Sequence, residues 1–160
     1  MANTVTVGIA DLNVVRAPDT LVTYALGSCV GICLYDAEKK IAGLAHIMLP
    51  QSKEAAQGID NKRRYADTGI AELIQKMTMM GANKARLTAK IAGGAQMFNA
   101  NSAVFNIGER NVEAVKQVLS SYRIRILAEE TGANFGRTQY FHGETGIMEI
   151  RAATRPTKMY

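Results

Sequence analysis

The chain has 160 residues, 48% of them apolar, and its 19 basic and 14 acidic side chains leave a formal charge of +5. That length builds one domain with an ordinary core, and no apolar run approaches the roughly 20 residues of a bilayer-spanning helix. Two cysteines and two histidines exclude a multi-disulfide framework and a four-cysteine zinc site.

The opening segment, MANTVTVGIADLN, lacks the basic stretch and long apolar run of a secretory signal, and free thiols suit a reducing cytoplasm. A basic balance favours acidic partners without choosing among them. Nucleic-acid binding calls for clustered basic residues with stacking aromatics. Here the densest run is Lys62-Arg63-Arg64 and the aromatics are scattered, so no nucleic-acid partner is expected.

Val5, Val7 and Ile9 alternate with Thr6 and Gly8 and predict a first strand. Strands over 21–26, 30–35 and 41–49 follow, separated by turn chemistry at Pro18-Asp19, Gly27-Ser28 and 36–40. The run VGICLY is apolar on both parities, which predicts burial on both faces. Residues 50–64 have one strongly apolar side chain, Ile59, and read as an exposed loop leading into a helix or as a disordered connection; the basic part, 51–64, is a candidate substrate-facing segment.

Ile70, Leu73, Ile74, Met77 and Met80 share one face of a helix predicted over 64–80, with Gly81 as its stop. A strand over 87–91 leads to Gly93-Gly94. A second helix spans 108–122, with Val112, Val115, Val118 and Leu119 facing inward. A strand over 123–130 comes next, and two final strands near 138–141 and 147–151 flank the hairpin signal Gly143-Glu144-Thr145-Gly146. The expected organisation is α+β, a single domain over 1–152, with a basic tail over 153–160 that frays.

The chemistry-bearing stretch is Leu26-Gly27-Ser28-Cys29-Val30. A cysteine after a Gly-Ser turn can present its sulfur where backbone N–H groups converge, as acyl transfer requires; the alternative is a small buried apolar side chain. Cys33, on an apolar strand, takes the second reading. His46 sits in the apolar segment Leu44-Ala45-His46-Ile47-Met48 and is either a cationic neighbour that holds Cys29 as thiolate or a core histidine. Thr23, six residues before Cys29, carries a hydroxyl able to bond the second imidazole nitrogen. His142 reads as a surface residue. Gly93-Gly94-Ala95 lacks the nucleotide-binding pattern and suits close backbone approach to a ligand or a strand. No metal site is expected, because a third ligand near Cys29 and His46 is missing.

Taken in order, several segments resemble one family, the chemoreceptor glutamine deamidases called CheD. They are Thr23 with Leu26-Gly27-Ser28-Cys29; Ala45-His46-Ile47-Met48-Leu49-Pro50; Arg64-Tyr65-Ala66-Asp67; Lys90-Ile91-Ala92-Gly93-Gly94-Ala95 with Met97-Phe98; Asn106-Ile107-Gly108 with Arg110-Asn111; and Ala128-Glu129-Glu130-Thr131-Gly132. The resemblance implies a cytoplasmic enzyme of chemotaxis that converts receptor glutamines to glutamates without a cofactor or metal and without inserting into the membrane. It implies a layered αββα sandwich of mixed sheets with two main helices, similar to the catalytic domain of the cytotoxic necrotizing factors. Catalytic roles are implied for Cys29, His46 and Thr23, and backbone positioning at the oxyanion for Gly27 and Ser28. Gly93, Gly94 and Asn106 are candidate substrate-pocket residues. Implied partners are the methyl-accepting receptors and the phosphatase CheC; the alternative role is a non-catalytic adaptor binding either of them.

Overall fold

The computed structural model describes residues 2–55, 58, 60–97 and 106–160. Twelve main elements follow one another: β1 (Thr4–Thr6), β2 (Asp11–Arg16), β3 (Thr20–Leu26), β4 (Val30–Asp36), β5 (Ile41–Ile47), α1 (Ala66–Met79), β6 (Thr88–Gly93), α2 (Ile107–Ser121), β7 (Arg125–Thr131), β8 (Arg137–His142), β9 (Met148–Arg151) and β10 (Lys158–Met159). They form two five-stranded mixed sheets. The central sheet has the order β2-β5-β4-β6-β7 and the outer sheet β1-β3-β8-β9-β10.

β4 and β5 are buried along their whole length. The two-parity apolar pattern of VGICLY has this cause, since one face meets the helices and the other meets the outer sheet. Ile32 and Leu34 join Ile70, Leu73 and Met77 of α1 and Val115 and Leu119 of α2 in one core. Cys33 and Leu44 face the other way, into a second core with Leu21, Phe141 and Met148. Full burial of each large apolar side chain contributes about 1.5–3 kcal/mol, so both cores bind the central sheet firmly. The methionine stripe of α1 is core at Met77, while Met79 is exposed.

Both helices pack on the central sheet, α1 over β2 and β5 and α2 over β4 and β7. Among the described residues no helix covers the outer sheet, whose solvent face carries Tyr24, Tyr140 and His142. The layering is therefore helix–sheet–sheet, and the fourth layer of the expected αββα sandwich is corrected. The outer face is too polar to need another apolar layer.

Three further expectations change. β2 is a strand of its own, hidden from a simple alternation count by Asp11 and Asn13, and Ile9 lies outside β1 and β2 and is exposed. The 153–160 tail is not frayed at its end. β10 pairs antiparallel with β9, and Met148 and Tyr160 exchange backbone hydrogen bonds of 2.9 and 2.8 Å. Lys90 Nζ adds a 2.8 Å bond to the Tyr160 carbonyl. The β8–β9 hairpin forms as its turn residues predict, with Gly146 at φ +75. Among the described residues, no helix is long and apolar enough to cross a membrane.

Candidate active site

The chain crosses from the outer to the central sheet between β3 and β4, and Cys29 lies on that crossing. In the central sheet Gly31 pairs with His46 across β4 and β5. Paired residues of an antiparallel ladder point to the same face, and residue 29, two positions before Gly31, shares that parity. Cys29 and His46 accordingly meet the layer between the sheets, where Cys29 packs against the second core. Thr23 enters the same layer from β3 of the outer sheet, fully buried.

Thr23 Oγ1 donates its one proton to the Val7 carbonyl at 2.7 Å. It lies 2.7 Å from His46 Nδ1 and, with its proton committed, can only accept there. His46 therefore carries its proton on Nδ1, and Nε2 keeps a lone pair. Nε2 is buried and has no hydrogen-bond partner among the described residues. The backbone anchors the ring as well, since the His46 carbonyl accepts from Ala10 N–H at 2.9 Å.

Burial sets the electrostatics. Desolvation lowers the His46 pKa to about 4, so the ring is neutral near pH 7. Desolvation also raises the half-buried Cys29 thiol above its ordinary value, a rise opposed by its own backbone N–H. The free site thus rests as thiol and neutral imidazole. Burial disfavours the charged form of each group, against the expectation of a thiolate at Cys29 held by a cationic His46.

Backbone contacts frame the Cys29 turn. Gly27 N–H donates to Ala25 O at 3.0 Å, so it is unavailable to an oxyanion, while the Gly27 carbonyl accepts from Ala95 N at 2.9 Å. The Cys29 carbonyl accepts from Gly94 N at 2.8 Å. Gly93, at φ +107, has no room for a Cβ, which would collide with the Cys29 carbonyl oxygen. Gly94, at φ +64, is similarly crowded by Val112 of α2. These two glycines buttress the cysteine turn from behind. Gly94 and Asn106, the latter left-handed at φ 68, also line a cleft of about 380 Å³ with Glu109, Glu113 and Lys116. Cys29, His46 and Thr23 do not line it.

Asn111, on the buried face of α2, is the functional candidate that a motif reading leaves without a role. Its Nδ2 donates to Ser28 O and to Met48 O, both at 2.9 Å. Its signal in the sequence is a polar residue three and four positions before Ala114 and Val115, on an apolar stripe. In the 51–64 segment, Arg63 is bound by Glu72 and Asp11, and Arg64 by Asp60. The Arg64 carbonyl accepts from Met48 and Leu49 N–H, so this end of the segment anchors the exit of β5. Ile59 and Phe98 lie outside the described residues. His142, half-buried, bonds Thr20 and Glu149 on the outer sheet, away from His46.

A half-buried thiol, a histidine with one free ring nitrogen and a hydroxyl fixing that ring are the groups with which a protein of the thiol acyl-transfer class could work. The comparisons narrow the class. The family model described as CheD chemotactic sensory transduction matches residues 48–152, a span that starts just beyond His46. The chain is 48% identical over 160 residues to the probable chemoreceptor glutamine deamidase CheD of Lachnoclostridium phytofermentans, covering 99% of each chain. It is 49% identical over 160 residues to the chemoreceptor glutamine deamidase CheD of Halalkalibacterium halodurans, again covering 99% of each. The chain belongs to the CheD family. Among solved structures it resembles Neisseria meningitidis protein NMB0706, of family DUF152, with a TM-score of 0.51 and 8% identity over 81% of this chain and 64% of that one; the likeness concerns fold alone.

Proposed function

We propose that the chain is a protein-glutamine deamidase that converts side-chain carboxamides of chemotaxis receptors to carboxylates, with Cys29 as nucleophile, His46 as general base and acid, and Thr23 as the group orienting the ring. The observation that carries this reading is the Thr23–His46 bond, which leaves Nε2 as the basic nitrogen in the layer where Cys29 lies. The activity for which the relatives are named supports the substrate class.

When a receptor glutamine enters, His46 Nε2 takes the thiol proton and Sγ forms a bond to the carboxamide carbon. The oxyanion that develops is held by backbone N–H groups at positions 28 and 29; one such donor is worth roughly 10²–10³ in rate. The imidazolium gives its proton to the leaving nitrogen, the C–N bond breaks, ammonia departs and a thioester remains. Water then loses a proton to the same nitrogen and attacks the thioester carbon. The C–S bond breaks, releasing glutamate and restoring the thiol.

The reading takes residues 1–152 as one deamidase domain at work in the cytoplasm, with the phosphatase CheC as a regulatory partner. The similarity to the cytotoxic necrotizing factor catalytic domain belongs to the same proposal. Mass spectrometry of a purified receptor cytoplasmic segment after incubation with the protein tests it. Glutamine-to-glutamate conversion is expected with wild type and none with Cys29→Ala or His46→Ala. Full conversion by Cys29→Ala would overturn the mechanism.

A further inference from the structure

The Ser28 carbonyl and the Cys29 N–H belong to one planar trans peptide and point in opposite directions. Asn111 draws that carbonyl inward, toward α2. The Cys29 N–H is therefore turned the other way, to the side of its own thiol. The second proton of the same amide goes to Met48 O, two residues beyond His46. One rigid planar group thus ties the turn that carries the thiol to the strand that carries the base.

Two features separate this arrangement from ordinary packing. Asn111 is fully buried, yet among the described residues its Oδ1 has no hydrogen-bond partner. Turning the amide over would set Oδ1 against two carbonyl oxygens, so only one orientation is compatible with its surroundings. An apolar residue of similar volume would also fill the helix–sheet contact, without stranding an acceptor. What it could not do is hold both carbonyls.

We infer that Asn111 is a positioning residue of the reaction, aiming the Cys29 N–H as an oxyanion donor and holding the cysteine turn at working distance from the His46 strand. This deepens the deamidase reading and rests on it. Gly93 and Gly94 support the turn from the other side through the Cys29 carbonyl, so the peptide units on both sides of Cys29 are clamped.

The test compares wild type with Asn111→Leu, which keeps approximate volume, and Asn111→Asp, which keeps shape but loses both N–H donors. Folding is checked by circular dichroism, and kcat and KM are measured on a purified receptor cytoplasmic segment. Expected in a folded variant is a fall in kcat of about 10²–10³-fold with KM changed by no more than about twofold. The pH midpoint for alkylation of Cys29 by iodoacetamide should rise in Asn111→Leu, because the thiolate loses a fixed N–H partner. Asn111→Gln, which retains both donors, should recover part of kcat. A folded variant with near-wild-type kcat and an unshifted midpoint would overturn the inference. If wild type itself converts no receptor glutamine, the deamidase reading fails, while the alkylation midpoint still decides whether Asn111 sets the cysteine turn.

Discussion

Thr23 and His46 come from different sheets and meet through a 2.7 Å bond whose direction is set by a third group, the Val7 carbonyl. The hydroxyl spends its proton on Val7 and so accepts from Nδ1–H. That relationship selects the imidazole tautomer with a basic Nε2 before any substrate arrives. A neutral hydroxyl orients the ring but offers little stabilisation to imidazolium, in contrast to a carboxylate.

Removing the hydroxyl should therefore impair the reaction without abolishing it. Thr23→Val is expected to lower kcat by roughly 10–10²-fold, short of the 10²–10⁴ that a positioned base can supply in full. Thr23→Ser, which keeps the hydroxyl, should retain most activity. Steady-state ammonia release from a receptor segment measures both, and equal loss in the two variants would show that the hydroxyl is not what matters.

The neutral resting pair predicts a particular pH response. His46 is able to act as base above about pH 4, its folded value, so the acid limb of kcat/KM should lie near there rather than near the ordinary histidine value. Cys29 alkylation by iodoacetamide should be slow at pH 6 and rise on the alkaline side, since burial lifts the thiol pKa. Stability moves with the same ring. The unfolded chain takes up a proton near the ordinary value of 6.5 and the folded chain only near 4, so this group removes stability as pH falls between them. A fast alkylation plateau at pH 5–6 would instead mark a thiolate–imidazolium pair.

Gly93→Ala should damage the site from outside it. A Cβ there would strike the Cys29 carbonyl oxygen, and φ +107 is strained for any side chain. The expected outcome is a folded protein, destabilised by on the order of 1–3 kcal/mol, with kcat reduced at least tenfold because the cysteine turn is displaced. Urea unfolding read beside turnover separates the two effects. Unchanged turnover would mean that the turn relaxes freely.

Cys33→Ala should leave deamidation intact and cost about 1 kcal/mol of stability as a small core truncation. Cys33 is fully buried between the sheets with Gln139 Nε2 at 3.3 Å, and burial holds its thiol protonated. Intact-protein mass spectrometry should place a single alkylation, at Cys29, under native conditions.

Asp36 supplies a structural control remote from the reaction. Its carboxylate is buried, a desolvation that alone would raise its pKa. Bonds from Arg86 and from the backbone N–H groups of Asn83 and Lys39 outweigh that effect and bring the value down to about 2. The stability this provides is present above the unfolded value of 3.8 and is lost as pH falls through 2. Asp36→Asn should cost on the order of 2 kcal/mol at pH 7, and urea midpoints should show the gap to wild type narrowing below pH 4. Cys29 alkylation should be unaffected, because Asp36 ends β4 at the opposite extremity from the cysteine turn.

Much of this architecture is legible from local pattern. The buried double parity of 30–35, the apolar faces of both helices and the Gly143–Gly146 turn follow from side-chain periodicity and turn chemistry, which act over a few residues. β2 escapes that reading because it is an edge strand where Asp11 and Asn13 interrupt the apolar run and accept from the Leu12 and Val14 N–H groups, and β10 because two residues carry no period at all. Among the described residues no helix covers the outer sheet, for a reason visible only in three dimensions: that sheet already presents a polar face to water.

The same division holds at the site. From sequence alone come the scarcity that leaves Cys29 and His46 as the candidate pair, the Gly-Ser turn before the thiol, and a threonine at a suitable spacing. Residue identity and local conformation suffice for those. The tertiary structure decided the rest: which imidazole nitrogen keeps the proton, that burial leaves the pair uncharged, and that Asn111 clamps the Ser28 carbonyl. Each depends on groups 16 to 83 residues apart brought within hydrogen-bond distance or removed from water. Two cysteines and two histidines bound the chemistry; the packing of the two sheets sets Thr23 against His46 and seals Cys33 from water.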